Sequence, residues 1–147
     1  TLRLDPRVKT VPAALARLAS LSREMYDGAR ASRDAYERAR AMRTKLESAT
    51  DSRAGALKAQ LDSLAPAPVP EDPSARFTRT TQPTPTTLNA VSAAMISAAQ
   101  AMQGAEAAPT ARAEQDCAKA SQAYASTMAR WRTLEKRLAE VDRKPGG

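Results

Sequence analysis

The chain contains no histidine, a single cysteine, and only five aromatic residues: one Phe, one Trp and three Tyr. Each scarcity excludes something. Without histidine the commonest general base is gone, together with most zinc sites and the Glu-x-x-His motif of di-iron helical bundles. One cysteine, Cys117, allows no intramolecular disulfide and leaves the redox compartment open. Few aromatics mean few platforms on which single-stranded bases could stack. The five glycines form no phosphate-cradling cluster, and no apolar run approaches the ~20 residues needed to cross a bilayer. Serines and lysines are present, but no spacing marks an activated nucleophile.

What remains is a patterned surface. Two heptad seams recur, one near each end. Val11, Leu18, Met25, Ser32, Ala39 and Leu46 repeat every seven residues, interleaved with Ala14, Leu21, Gly28, Ala35, Met42 and Ala49. Toward the end, Cys117, Tyr124, Trp131 and Leu138 form one row, and Ala113, Ala120, Thr127, Leu134 and Val141 the other. A 3-4 spacing sustained over several turns places every apolar residue on one helical stripe, which has to be buried against other helices. Strand-forming residues are scarce. The expected class is all-α: an elongated antiparallel up-down bundle of two long helices and two shorter ones.

Its organisation follows from turn and cap signals. Residues 1–9 alternate apolar and charged before Asp5-Pro6 interrupts, reading as the end of a strand or a linker. The bundle domain occupies 10–147. Thr10 and Pro12 suit a helix start, and helical pattern runs from about 11 to 49. A shorter helix is expected at about 52–64, on Leu57, Leu61 and Leu64. A Pro/Thr-rich connection follows at about 65–83, pinned by Phe77, where proline favours extended backbone. Thr84-Pro85 opens a third helix striped by Leu88, Val91, Met95, Ala98 and Met102 and ending at Gly104, and Pro109-Thr110 opens the last. Short turns make helices one and two antiparallel, and likewise three and four. The long middle connection suits an up-down-up-down order. The small-residue patch Gly28, Ala29, Ser32 and Ala35 reads as close helix approach, or as room for a large side chain such as Trp131 or Tyr124.

Net charge is +7, with 27% of residues charged. A polyanion partner is one implication. The distribution suggests a solvated face instead, because Arg23, Arg30, Arg33, Arg38, Arg40 and Arg43 alternate with Glu24, Asp27, Asp34, Glu37 and Glu47 at pairing distances along a helix. The carboxylate pairs Asp34 with Glu37 and Glu135 with Glu140 lie among basic residues, as solvated charge does. Cys117 falls on an apolar stripe, as a small buried hydrophobe does. No catalytic, cofactor-binding or metal-ligating residue is assigned. No cofactor and no specific nucleic acid are expected. An apolar stripe left bare by the short second helix could pair two copies.

The string Thr1-Leu2-Arg3-Leu4-Asp5-Pro6-Arg7-Val8-Lys9-Thr10 is the sharpest in the chain. With Leu21-Ser22, Met25-Tyr26-Asp27-Gly28-Ala29, Ala107-Ala108-Pro109-Thr110 and Trp131, it resembles the C-terminal part of large bacterial BNR-repeat (Asp-box) propeller proteins of glycosyl-hydrolase-like or sortilin-like type. The resemblance implies that Leu2–Leu4 is an orphaned strand of a β-sandwich following the propeller, and that the parent is exported to the periplasm or secreted. It further implies a helical accessory domain packed on upstream propeller and sandwich domains. Any catalytic residues of such a propeller would lie upstream, so none is carried over. The ending Val141-Asp142-Arg143-Lys144-Pro145 departs from the Asn-Leu-rich finish of those proteins. The function expected is therefore non-catalytic: interdomain packing or protein association, with polyanion binding as the alternative.

Overall fold

The structure is a computed structural model that describes residues 11–50, 52–68, 86–103 and 108–143. The described residues are 88% helical and contain no strand. Helix α1 spans Pro12–Lys45, α2 Ser52–Leu64, α3 Leu88–Met102 and α4 Ala111–Arg143. The all-α bundle of two long and two short helices is as expected. The strand remnant expected over 1–9, the cap expected at Thr10, and most of the connection expected over 65–83, Phe77 included, lie outside the described residues.

Local chemistry sets the helix ends. Pro12 occupies the first turn of α1, where a missing N–H costs nothing, after an extended Val11. Arg43 and Lys45 complement the dipole in its last turn. The helix stops slightly short of the expected 49, tightening into a 3-10 turn at Leu46–Ser48. The Lys58 ammonium then donates to Ala49 O at 2.6 Å, tying that turn to α2. Helix α3 starts later than Thr84-Pro85: its cap is Thr87, whose Oγ1 accepts from Ala90 N at 3.3 Å. Thr110 caps α4 in the same way, accepting from Ala113 N at 3.1 Å.

Helix direction departs from the alternating order. Arg40 and Arg43 both reach Asp62, and Tyr36 donates from its hydroxyl to Pro66 O at 3.0 Å, so α2 runs antiparallel to α1. Ser92 Oγ donates to Ala29 O at 2.9 Å, and Gln103 meets Tyr26, so α3 is antiparallel to α1 as well. Helix α4 is antiparallel to α3, with Cys117 Sγ on Met102 Sδ at 3.7 Å and Arg130 on Thr86 O at 3.0 Å. The order is therefore up-down-down-up. The antiparallel neighbours predicted from the short turns are present, but a connection as long as the middle one permits either direction, and here α2 and α3 run the same way.

The result is three rods rather than four. Helices α1 and α4, roughly 50 Å each at 1.5 Å per residue, lie parallel. The third rod comes in two pieces. Leu57, Leu61 and Leu64 of α2 pack with Ala35, Ala39, Trp131, Leu134 and Leu138, and Leu88 at the start of α3 joins this same cluster. Val91, Met95, Ala99 and Met102 pack with Leu21, Met25, Ala29, Cys117 and Ala120 in a second cluster. Helix α3 thus covers the length that α2 leaves free, so among the described residues the stripe expected to be bare there is covered. The small-residue patch of α1 takes Met95: a Cβ at Gly28 would overlap its methyl group and come within 2.5 Å of its Sδ, with Tyr124 Cδ2 at 3.6 Å. Trp131 packs two turns on from Gly28, against Ala35, the last member of the same patch, and Ala39.

Candidate interaction surfaces

Among the described residues, no three His, Cys, Asp or Glu side chains gather as a metal site would require. Two of the four carboxylates noted in the sequence, Glu37 and Glu135, are engaged with cations. Glu37 accepts from Arg33 at 3.0 Å and Glu135 from Arg38 at 3.0 Å, in exposed pairs. Cys117 is 1% exposed. Burial pushes its thiol up from 9.0, and the charges of Glu24 and Asp116 push the same way. A buried, protonated thiol is a poor nucleophile.

Two surfaces stand out from the solvated exterior. The first is the outer face of α3. Helix α3 carries no charged residue, in a chain of which 27% is charged. Its outward positions, Ala90, Ala93, Ile96, Ser97, Gln100 and Ala101, are all exposed. Tyr26, 42% exposed and hydrogen-bonded to Gln103, extends this neutral area onto α1, and Ile96 is 38% exposed. Small side chains let a neighbouring helix approach to the lower end of the 8–10 Å interaxial range. The other helices present charge at most turns; α3 presents none. The signal was in the sequence, since no charge occurs between Arg79 and Glu106. A reading guided by the buried stripe alone passes over it.

The second is a groove of about 390 Å³ between α2 and α4. Its floor is the buried Leu64 and Leu134, and its exposed lining is Gln60, Ser63, Ala129, Arg130, Thr133 and Arg137. Arg130 and Arg137 stand two turns apart on one face of α4, and among the described residues neither meets a carboxylate. Arg130 is steadied by its donation to Thr86 O. The sequence alone does not single out this pair, because their lack of carboxylate partners becomes visible only once α2 is placed.

No helix among the described residues is long and apolar enough to cross a membrane. Comparison of the chain with family models, curated proteins and solved structures finds no match.

Proposed function

We propose that this chain is a non-catalytic helical module that works by protein association, with the neutral outer face of α3 as its contact surface. The observation that carries this is the charge-free helix on a strongly charged bundle. An exposed face without charges loses little hydration when covered, whereas a charged face pays desolvation for every ion it buries. The three-rod section offers the natural place for a fourth helix from a partner, and alanine-rich faces favour that geometry. The partner we propose is the rest of an exported Asp-box propeller polypeptide, and the support for that setting is the Thr1–Thr10 string with its accompanying positions.

A grip on polyanions is less well supported. Arg17, Arg33, Arg38, Arg40, Arg43 and Arg112 each hold a carboxylate within the bundle, which spends much of the positive charge locally.

Hydroxyl-radical footprinting tests the reading. In the isolated chain Tyr26 and Ile96 should be oxidised readily. In the product of the complete gene they should be protected, and Ala93→Glu with Ser97→Glu should remove that protection while Ala41→Glu on α1 leaves it. Equal oxidation of Tyr26 and Ile96 in both settings would overturn the proposal.

A further inference from the structure

The groove between α2 and α4 lies apart from the α3 face and carries its own chemistry, independent of the association reading. We propose that it binds a short acidic peptide in extended conformation, with two carboxylates held by Arg130 and Arg137. The cations come first. These two guanidiniums sit seven residues apart on one helix, a rise of about 10.5 Å, and among the described residues no carboxylate neutralises them. In an extended peptide of polyproline II form, three residues make one turn, so residues i and i+3 share a face about 9.3 Å apart, and an acidic residue at each of those positions matches the spacing. Arg130 is held by Thr86 O through one of its five N–H groups and keeps the others for a carboxylate.

The hydroxyls on the rim decide which class of anion fits. Ser63 Oγ donates to Gln60 O at 2.9 Å, and Thr133 Oγ1 donates to Ala129 O at 3.1 Å. Both protons are spent on their own helices, so each hydroxyl offers the groove only lone pairs. Lone pairs accept from backbone N–H groups, which a peptide supplies and a phosphate or polyphosphate does not. Gln60 brings an amide able to serve either a carbonyl or an N–H. The floor of Leu64 and Leu134, with Ala129 beside it, accommodates an apolar side chain between the two acidic ones. The volume lies at the lower end of the ~300–1,000 Å³ typical of small-ligand sites, which suits a few residues of extended chain rather than a helix.

The experiment uses the full chain and the fluorescein-labelled capped hexapeptide Gly-Glu-Leu-Val-Glu-Gly, read by anisotropy at low ionic strength. Binding is expected, and Arg130→Ala with Arg137→Ala should weaken it by at least roughly tenfold, a factor equivalent to about 1.4 kcal/mol. Arg132→Ala with Lys136→Ala, which removes the same charge outside the groove, should leave affinity within about twofold at matched ionic strength. The peptide with Gln in place of both Glu should lose binding, and inorganic tripolyphosphate should compete poorly. Circular dichroism of each variant confirms that the bundle is intact, and Arg130→Lys with Arg137→Lys offers a milder pair should the alanines disturb it. Absence of hexapeptide binding overturns the proposal. Equal weakening by the Arg132/Lys136 pair would mean diffuse charge attraction, and competition by tripolyphosphate at the peptide's own affinity would mean a phosphate site. Either result also overturns it. None of these outcomes bears on the footprint at Tyr26 and Ile96.

Discussion

The Arg38 guanidinium donates to Glu135 Oε1 at 3.0 Å while lying 5.8 Å over the ring of Trp131. The two partners are 97 residues apart, and the same separation recurs where Arg17 meets Glu114 and where Ser121 meets Glu24. A constant offset sampled at seven-residue intervals is the mark of two parallel helices in heptad register. These pairs flank the apolar rows as g and e positions flank a and d in a parallel coiled coil. Their chief role is register. Exposed pairs of this kind contribute at most about 1 kcal/mol each, whereas the rows they border hold Met25, Trp131 and Leu134 in the interior.

The register predicts a cross-linking pattern. With Cys117→Ala as background, cysteines introduced by Glu24→Cys and Ser121→Cys should be bridged efficiently by a short bismaleimide. Glu24→Cys with Glu135→Cys should not be, because residue 135 lies about 21 Å further along α4. Gel mobility of the cross-linked monomer reads the result. Efficient bridging of the second pair would mean that α1 and α4 are out of the stated register.

The two buried serines of the α1–α3 region should respond to truncation with opposite signs. Ser32 Oγ is buried without a hydrogen-bond partner. Ser32→Ala removes an unsatisfied polar group and gains helix propensity, so stability should rise by about 1 kcal/mol, or roughly 2–4 °C in Tm. Ser92 Oγ donates across the interface to Ala29 O at 2.9 Å. Ser92→Ala forfeits that bond, worth about 1 kcal/mol, against a propensity gain near 0.5 kcal/mol, for a small net loss. Thermal denaturation of the two variants side by side checks the sign.

How much of this was legible beforehand depends on which residues are asked. The rows of Leu21, Met25, Ala35, Trp131 and Leu138 were readable because a 3-4 spacing has no other stable use, and all five are buried. The extent of α2 was readable because Leu57, Leu61 and Leu64 share one face between a turn and a proline run. The direction of α3 was not, since nothing local to Leu88–Met102 distinguishes running with α2 from running against it. The occupant of the notch at Gly28 was equally hidden: Met95 is unbranched and fills irregular gaps that a rigid indole would not enter. The α2–α4 groove depends on packing between segments far apart in sequence, so periodicity could not announce it.

Glycine substitutions separate helix propensity from packing. Gly55 faces open space, with nothing within 4 Å of an added Cβ. Gly55→Ala should therefore stabilise by about 0.5–1 kcal/mol through the unfolded chain's lost freedom. Gly28→Ala gains the same propensity but drives its methyl into Met95, which is 1% exposed and has little room to retreat. Overpacking costs about 1–3 kcal/mol, so the net change should be destabilising. In a Met95→Ala background the sign should reverse, because the obstruction is gone and the new methyl occupies part of the cavity. Urea denaturation of the four proteins in that cycle measures the coupling directly, and additivity would mean that Gly28 and Met95 do not meet.

The thiol of Cys117 gives the bundle an alkaline sensitivity whose sign is fixed by burial. Its value is raised from 9.0, first by desolvation and then by Glu24 and Asp116. Well below pH 9 the thiol is protonated in both folded and unfolded chains, and it contributes no pH dependence. Above that the unfolded chain releases the proton while the folded chain retains it, so the unfolded state binds fewer protons and stability falls as pH rises toward the folded value. Denaturation midpoints measured from pH 8 to 10.5 should therefore decline more steeply for the wild type than for Cys117→Ala. Alkylation by iodoacetamide at pH 8 should proceed only as fast as the α3–α4 contact opens, since Sγ rests on Met102 Sδ inside the core. Fast alkylation of the native protein at that pH would place the thiol at the surface, and the second apolar cluster would then have to be redrawn.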